Sequence, residues 1–385
     1  MSGIDNVLAT AASAGLVPGV VAAAANKDGI FYEGAFGKRS LGDDAGMTID
    51  TVFRIFSMTK AIATTAAVQL IERGEIGLDT PVEDIIPAWR EQVVLEGFDG
   101  DTPITRAPKT KATIRHLATH TSGLAYEIWS PDTGKYIEAT GTPSILTCDK
   151  GALKYPLLFD PGERWEYGVN IDWLGQVVEA VSGSSLRDFC KSNIFEPLGM
   201  GDTDFHANAE QRTRLATIHQ RDENGALAPI DLDLPPDPGM YCGGHGLYST
   251  ARDYMQYLMA LLKGGEHNGS RILNAETVKL MTENHIGDTM VGLMTTAIPP
   301  LSNDAEFFPG MPKKHGLGFV INLDQEAGMR NAGSGCWAGL ANTYFWWDPA
   351  ADVAGLILHQ ILPFVDVEAI KLFRDYEKAV YSNLN

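Results

Sequence analysis

The chain has 385 residues, 44% of them hydrophobic and 21% charged. These globular proportions exclude disordered and fibrous classes, and the length predicts a two-lobed enzyme rather than one simple core. The formal charge of −19 argues against nucleic acid, whose phosphates need basic partners, and against anionic membrane surfaces. The expected partner is a small molecule.

The first residues, Met1-Ser2-Gly3-Ile4-Asp5-Asn6, lack the basic segment of a secretory signal, so a cytoplasmic protein is the expectation. The apolar run 16–25 is broken by Pro18 and Gly19 and is too short to cross a bilayer. Residues 20–25 and 30–36 are expected as two strands around the turn Asn26-Lys27-Asp28-Gly29. Residues 57–73, rich in alanine, are expected as a helix with Gly74 at its C-terminal end. From about 80 to 240, short helical pieces alternate with proline- and glycine-punctuated loops, and helices are expected at 171–181 and 186–194. The Pro/Asp-rich stretch 229–238 reads as a loop between lobes. Residues 252–262 form a strong helical pattern with Thr250 or Ser249 as N-cap. Strands are expected at 317–323, 342–347 and 354–358, and a last helix at 367–381. Strands at both ends with helices between predict a discontinuous α/β domain, residues 1–80 and 241–385. A mainly helical domain, 81–240, is inserted, with the active site between them.

The four cysteines, Cys148, Cys190, Cys242 and Cys336, form no C-x-x-C pair, so reduced thiols without a special role are expected. No zinc-binding helix motif, phosphate loop or G-x-S-x-G elbow occurs. No metal and no organic cofactor is expected.

The chemistry centres on Ser57-Met58-Thr59-Lys60. Residues i and i+3 share one helix face, so the two side chains can meet. A serine hydroxyl needs a base to become nucleophilic, and a lysine serves if burial lowers its pKa. By itself the tetrapeptide is weak, since about one S-x-x-K is expected by chance in a chain of this size. From the tetrapeptide alone, an N-cap serine beside an exposed lysine is the better reading.

The context decides between these readings. Phe53-Arg54-Ile55-Phe56 precedes the serine. Beyond it come Gly77-Leu78-Asp79-Thr80-Pro81-Val82, His116-Leu117-Ala118-Thr119-His120-Thr121-Ser122-Gly123-Leu124, Phe195-Glu196-Pro197-Leu198-Gly199-Met200, and residues 243–254 from Gly243-Gly244-His245-Gly246 to Tyr254. This ordered set resembles the serine β-lactamase-like and penicillin-binding-protein superfamily over nearly the whole chain, above all the family VIII carboxylesterases.

The resemblance implies an α+β, β-lactamase/transpeptidase-like fold, with an antiparallel sheet flanked by helices and an inserted helical lobe. It implies that Ser57 is the nucleophile, Lys60 its base and Tyr167, in Trp165-Glu166-Tyr167-Gly168-Val169-Asn170, a proton relay. Trp337-Ala338-Gly339 stands where the family keeps K-T-G, like the W-x-G variant of the esterases. The oxyanion hole is then expected from the backbone N–H groups of Ser57 and Leu340. Trp337, Gly339 and Asn170 are expected at the substrate, with Gly339 permitting close approach.

Two departures turn the reading away from β-lactams. Trp337 cannot form the salt bridge that a lysine makes to the drug carboxylate, and Val169 replaces the usual amide. The expected function is a carboxylesterase for short-chain or bulky neutral esters, with weak β-lactamase activity at most. An amidase, D-aminopeptidase or acyltransferase on the same scaffold is the alternative, and a non-catalytic receptor is the third. His120 and His245 are expected as structural residues, and Tyr344 to Trp347 as core strand.

Overall fold

In a computed structural model, residues 3–384 are described. A seven-stranded antiparallel sheet is assembled from both ends of the chain. Its strands are β1 (Gly19–Asn26), β2 (Gly29–Gly37), β3 (Lys313–His315), β4 (Val320–Asn322), β5 (Gly335–Gly339), β6 (Thr343–Asp348) and β7 (Val353–Leu358), in the order β3-β4-β5-β6-β7-β1-β2. The run Gly19-Val-Val-Ala-Ala-Ala-Ala is buried on both faces. This is why it reads as continuously apolar rather than alternating.

Side-chain alternation along β6 shows what covers each face. Phe345 points to the helix Ala251–Leu262, with its ring 5.2 Å from that of Tyr254. Tyr344 and Trp346 point the other way, to Phe373 and Tyr376 of the C-terminal helix Val367–Ser382. Helices therefore lie on both faces. The helix Gly3–Ser13, which the sequence pattern did not suggest, packs beside the C-terminal one.

The expected helix from residue 57 is two pieces. Phe56–Met58 is a 3-10 turn that runs into the α-helix Thr59–Glu72. Tyr254 donates to the carbonyl of Met58 and Tyr257 to that of Ala61, which ties the start of this helix to the sheet layer. Thr250 caps the 251–262 helix by accepting from Asp253 N–H. Between the two sheet-forming ends lie short helices, among them Asn170–Ser182. A small hairpin, Val94–Asp99 with Thr102–Arg106, was not legible as strands. The expected loop 229–238 begins within a further short strand, Leu227–Ile230. Among the described residues, no helix is long and apolar enough to cross a membrane.

Candidate active site

Ser57 sits in the 3-10 turn directly after Phe56, whose backbone is left-handed at φ 41°. A bulky residue in that region is strained, and such strain persists only where the surroundings enforce it. Here the enforcement comes from β5. A Cβ added at Gly339 would stand 2.2 Å from the carbonyl oxygen of Ile55, so only glycine lets the strand press against the turn carrying Ser57. The sequence reading assigned the close approach at Gly339 to substrate. The structure shows it is first an approach to the backbone preceding the serine. Leu340, the next residue, lines the same small cavities as Ser57.

Lys60, one turn on, is 1% exposed. Its Nζ lies 3.1 Å from Ser57 Oγ, 2.9 Å from Tyr126 OH and 2.7 Å from the carbonyl oxygen of Gly244. It also lies 4.9 and 4.7 Å from the ring centroids of Tyr126 and Tyr167. Burial lowers its pKa to about 7, although the carboxylate of Asp172 works in the opposite direction. Near neutrality a large fraction is therefore the free amine, whose lone pair can take the Ser57 proton.

Tyr167 donates to Ser57 Oγ at 2.7 Å. Its phenol is pushed well above the ordinary range by burial, so it is a proton donor at working pH. The ring is fixed by neighbours: Tyr126 at 5.0 Å, Trp129 at 5.2 Å, His120 at 5.0 Å and Trp337 at 5.1 Å. His120 is buried in this cluster, and burial holds its pKa well below the usual histidine range. It is a neutral wall residue, stacked at 6.1 Å on Trp337.

Two functional residues escaped the sequence reading. Tyr126 donates to Asp172 Oδ2 at 3.3 Å, and Asp172 Oδ1 accepts the Gly244 N–H at 2.9 Å. Lys60, Tyr126, Asp172 and Gly244 thus form one buried network. The signal for Tyr126 was its place two residues after the block ending at Leu124. Asp172 had none, because a single carboxylate at the start of an amphipathic helix is usually only a favourable N-terminal charge.

Asn170 corrects an expectation. It is fully buried, Ser122 Oγ donates to its Oδ1 at 2.5 Å, and its Nδ2 donates to the carbonyl of Leu124. Its amide is spent on pinning the loop before Tyr126 to the helix carrying Asp172. Helical geometry explains the error, since the one-residue offset from the family pattern turns the side chain to a different face.

Trp337 stands where expected, on β5 facing Tyr167, with Phe307 stacked on it at 4.7 Å. The space immediately beside Ser57 is small and apolar, lined by Phe56, Tyr126, Ile128, Trp129, Phe307, Trp337 and Phe364. Trp337, Phe307 and Phe364 also line a separate cavity of about 400 Å³, whose mostly aromatic and aliphatic walls also include Glu306, Glu326, Arg330, Arg374 and Glu377. No cationic side chain stands at the position of Trp337 to receive a β-lactam carboxylate.

The geometry combines a serine, a depressed lysine and a protonated tyrosine, which is the equipment for acyl transfer through a covalent serine ester. A family model described as Beta-lactamase matches residues 4–376. The chain belongs to the beta-lactamase family. Its curated relatives include ML-236A carboxylate methylbutanoyltransferase mlcH of Penicillium citrinum, 33% identical over 96% of this chain and 91% of that one. Another is lovastatin esterase of Penicillium rubens, 30% identical over 94% of this chain and 93% of that one. Among solved structures, unliganded simvastatin synthase (LovD) of Aspergillus terreus, as its selenomethionyl derivative, superposes with a TM-score of 0.85 at 28% identity. The match covers 99% of this chain and 97% of that one. EstCE1, described as a hydrolase with promiscuous acyltransferase activity, gives 0.77 at 25% identity over 98% and 97%. The relatives are therefore serine-type acyltransferases and esterases on a β-lactamase fold, an antiparallel sheet flanked by helices.

Proposed function

We propose that this protein is a carboxylesterase that forms an acyl-enzyme on Ser57 from a neutral ester and releases the acyl group to water. The observation that carries the reading is the pair of contacts to Ser57 Oγ, from Lys60 at 3.1 Å and Tyr167 at 2.7 Å. Neutral Lys60 accepts the serine proton as Oγ attacks the carbonyl carbon. The oxyanion is held by the backbone N–H groups of Ser57 and Leu340. Tyr167 gives its proton to the leaving alkoxide and regains one from the Lys60 side. Water then attacks the acyl-serine, and the same groups act in reverse. The two sheet-forming segments, 1–80 and 241–385, and the helical segment, 81–240, are taken as the two domains flanking this cleft.

The apolar surroundings support a neutral ester. Trp337 in place of a cation disfavours substrates that bear a carboxylate beside the reacting bond. The nearby cavity of about 400 Å³, separated from Ser57 by Phe307 and Trp337, is of a size that holds a bulky hydrocarbon group once those rings move.

Transfer to an alcohol instead of water is the second reading. It is favoured by relatives named as methylbutanoyltransferases and by the mostly apolar lining beside Ser57. The test is turnover of p-nitrophenyl butyrate, with mass spectrometry for an acyl adduct on Ser57 and a bulky alcohol added as competing acceptor. Steady hydrolysis that is lost in Ser57→Ala and reduced by orders of magnitude in Lys60→Ala supports the esterase. Product formed only with the alcohol present supports the transferase. No adduct on Ser57 with any ester would defeat both.

A further inference from the structure

We propose that Cys148, Cys242 and His245 form a binding site for a thiophilic divalent cation, zinc in the first instance, in the wall behind the serine. The three side chains are buried, and their ligand atoms all lie within 4.8 Å of one another. Cys148 Sγ is 3.5 Å from His245 Nε2. Sulfur and nitrogen ligands at about 2.3 and 2.0 Å on one tetrahedral zinc stand about 3.5 Å apart, so this pair is already at the spacing a shared ion requires. The donor set, two sulfurs and one imidazole nitrogen, suits zinc and disfavours magnesium and calcium, which take oxygen ligands.

The ligands come from two segments that backbone hydrogen bonds tie together. Cys148 follows the turn Ile145–Thr147, and its carbonyl accepts from Met240 N–H at 3.0 Å. The Cys242 carbonyl accepts from the N–H groups of His245 and Gly246 at 3.3 and 2.9 Å. The cluster also lies between two small cavities. His245 lines the one beside Ser57, and both cysteines line another with Phe205 and Leu234. Three protein ligands on a tetrahedral ion leave one coordination position for water. On binding, two Zn–S bonds and one Zn–N bond form, and the two protons held by the Cys148–Cys242–His245 cluster leave to solvent. Two thiolates and a neutral imidazole leave the bound unit uncharged, which suits a buried place.

Gly244, between Cys242 and His245, supplies the carbonyl that holds Lys60. A bound ion would clamp the segment that sets the lysine, and loading is expected to slow amide exchange across 242–247.

The test uses the full chain, reduced and stripped with a chelator, and cobalt(II) as the optical probe. The expected result is a thiolate-to-cobalt charge-transfer band that saturates at one equivalent and is displaced by zinc. Zinc should raise the melting temperature of the wild type but not of the Cys148→Ser/Cys242→Ser variant. That variant should also lack the band. His245→Gln, which keeps both thiols, should bind cobalt at least tenfold more weakly. Absence of the band in the wild type, or its persistence in the double variant, would overturn the proposal. So would a Cys148–Cys242 disulfide with no retained metal in protein isolated without reductant, which would mark a redox pair instead. These readouts are optical and thermal and do not depend on the esterase reading.

Discussion

Replacing Asp172 by asparagine isolates the charge that opposes the depression of the Lys60 pKa. Asp172 Oδ2 is 3.3 Å from Tyr126 OH, which is 2.9 Å from Lys60 Nζ, so no more than about 6 Å separates carboxylate and amine. At an effective dielectric constant of about 20, unit charges that far apart attract by roughly 3 kcal/mol, or about two pKa units. The carboxylate raises the Lys60 pKa, and burial brings it down to about 7. Removing the charge therefore lowers it further. The asparagine keeps an oxygen for the Gly244 N–H, while its amide NH2 faces Tyr126 OH, which must turn to accept from it instead of donating. Because the free amine is the active form, kcat/KM for an ester should rise with pH through about 7 in the wild type. In Asp172→Asn the midpoint should move acid by one to two units. The assay is a pH profile of p-nitrophenyl butyrate hydrolysis with stability checked at each pH. An unchanged or alkaline-shifted midpoint would refute Lys60 as the titrating base.

Three further outcomes are expected. Tyr167→Phe removes the donor to Ser57 Oγ and should lower kcat by about 10² to 10⁴. The loss should be larger for an alkyl ester than for a p-nitrophenyl ester, whose leaving group needs no proton, and equal losses would count against the relay. Gly339→Ala places a methyl 2.2 Å from the Ile55 carbonyl oxygen. It should cost roughly 1–3 kcal/mol by displacing the strand, read as a lower denaturation midpoint together with reduced turnover. Glu377→Ala leaves the guanidinium of Arg330, 3% exposed, without its buried carboxylate. A loss of about 3–5 kcal/mol is expected, measurable by denaturant unfolding, and a loss below 1 kcal/mol would show that water reaches the site.

Much of the frame was legible because its signals are local. The doubly buried strand at 19–26, the alanine-rich helix after Ser57 and the Thr250 cap each depend on neighbours within one or two turns. The cluster Tyr344 to Trp347 reads as core strand for the same reason. The boundaries that moved have local causes too. The helix start shifted because Ser57 lies in a 3-10 turn strained by Phe56, and the hairpin at 94–106 is too exposed to show a clean alternation.

The sequence by itself determined that Ser57 and Lys60 can meet, because three residues of helical backbone suffice to bring them together. It pointed to Tyr167, Trp337 and Leu340 only through ordered blocks that resemble a family. The tertiary structure alone decided what makes the lysine a base. Its depression comes from burial, and its neighbours Tyr126, Asp172 and Gly244 arrive from three separate segments. Local spacing carries no information about desolvation or about partners 66 to 184 residues distant. For that reason Asn170 pointed away from the cleft while Asp172, two positions on, joined its network.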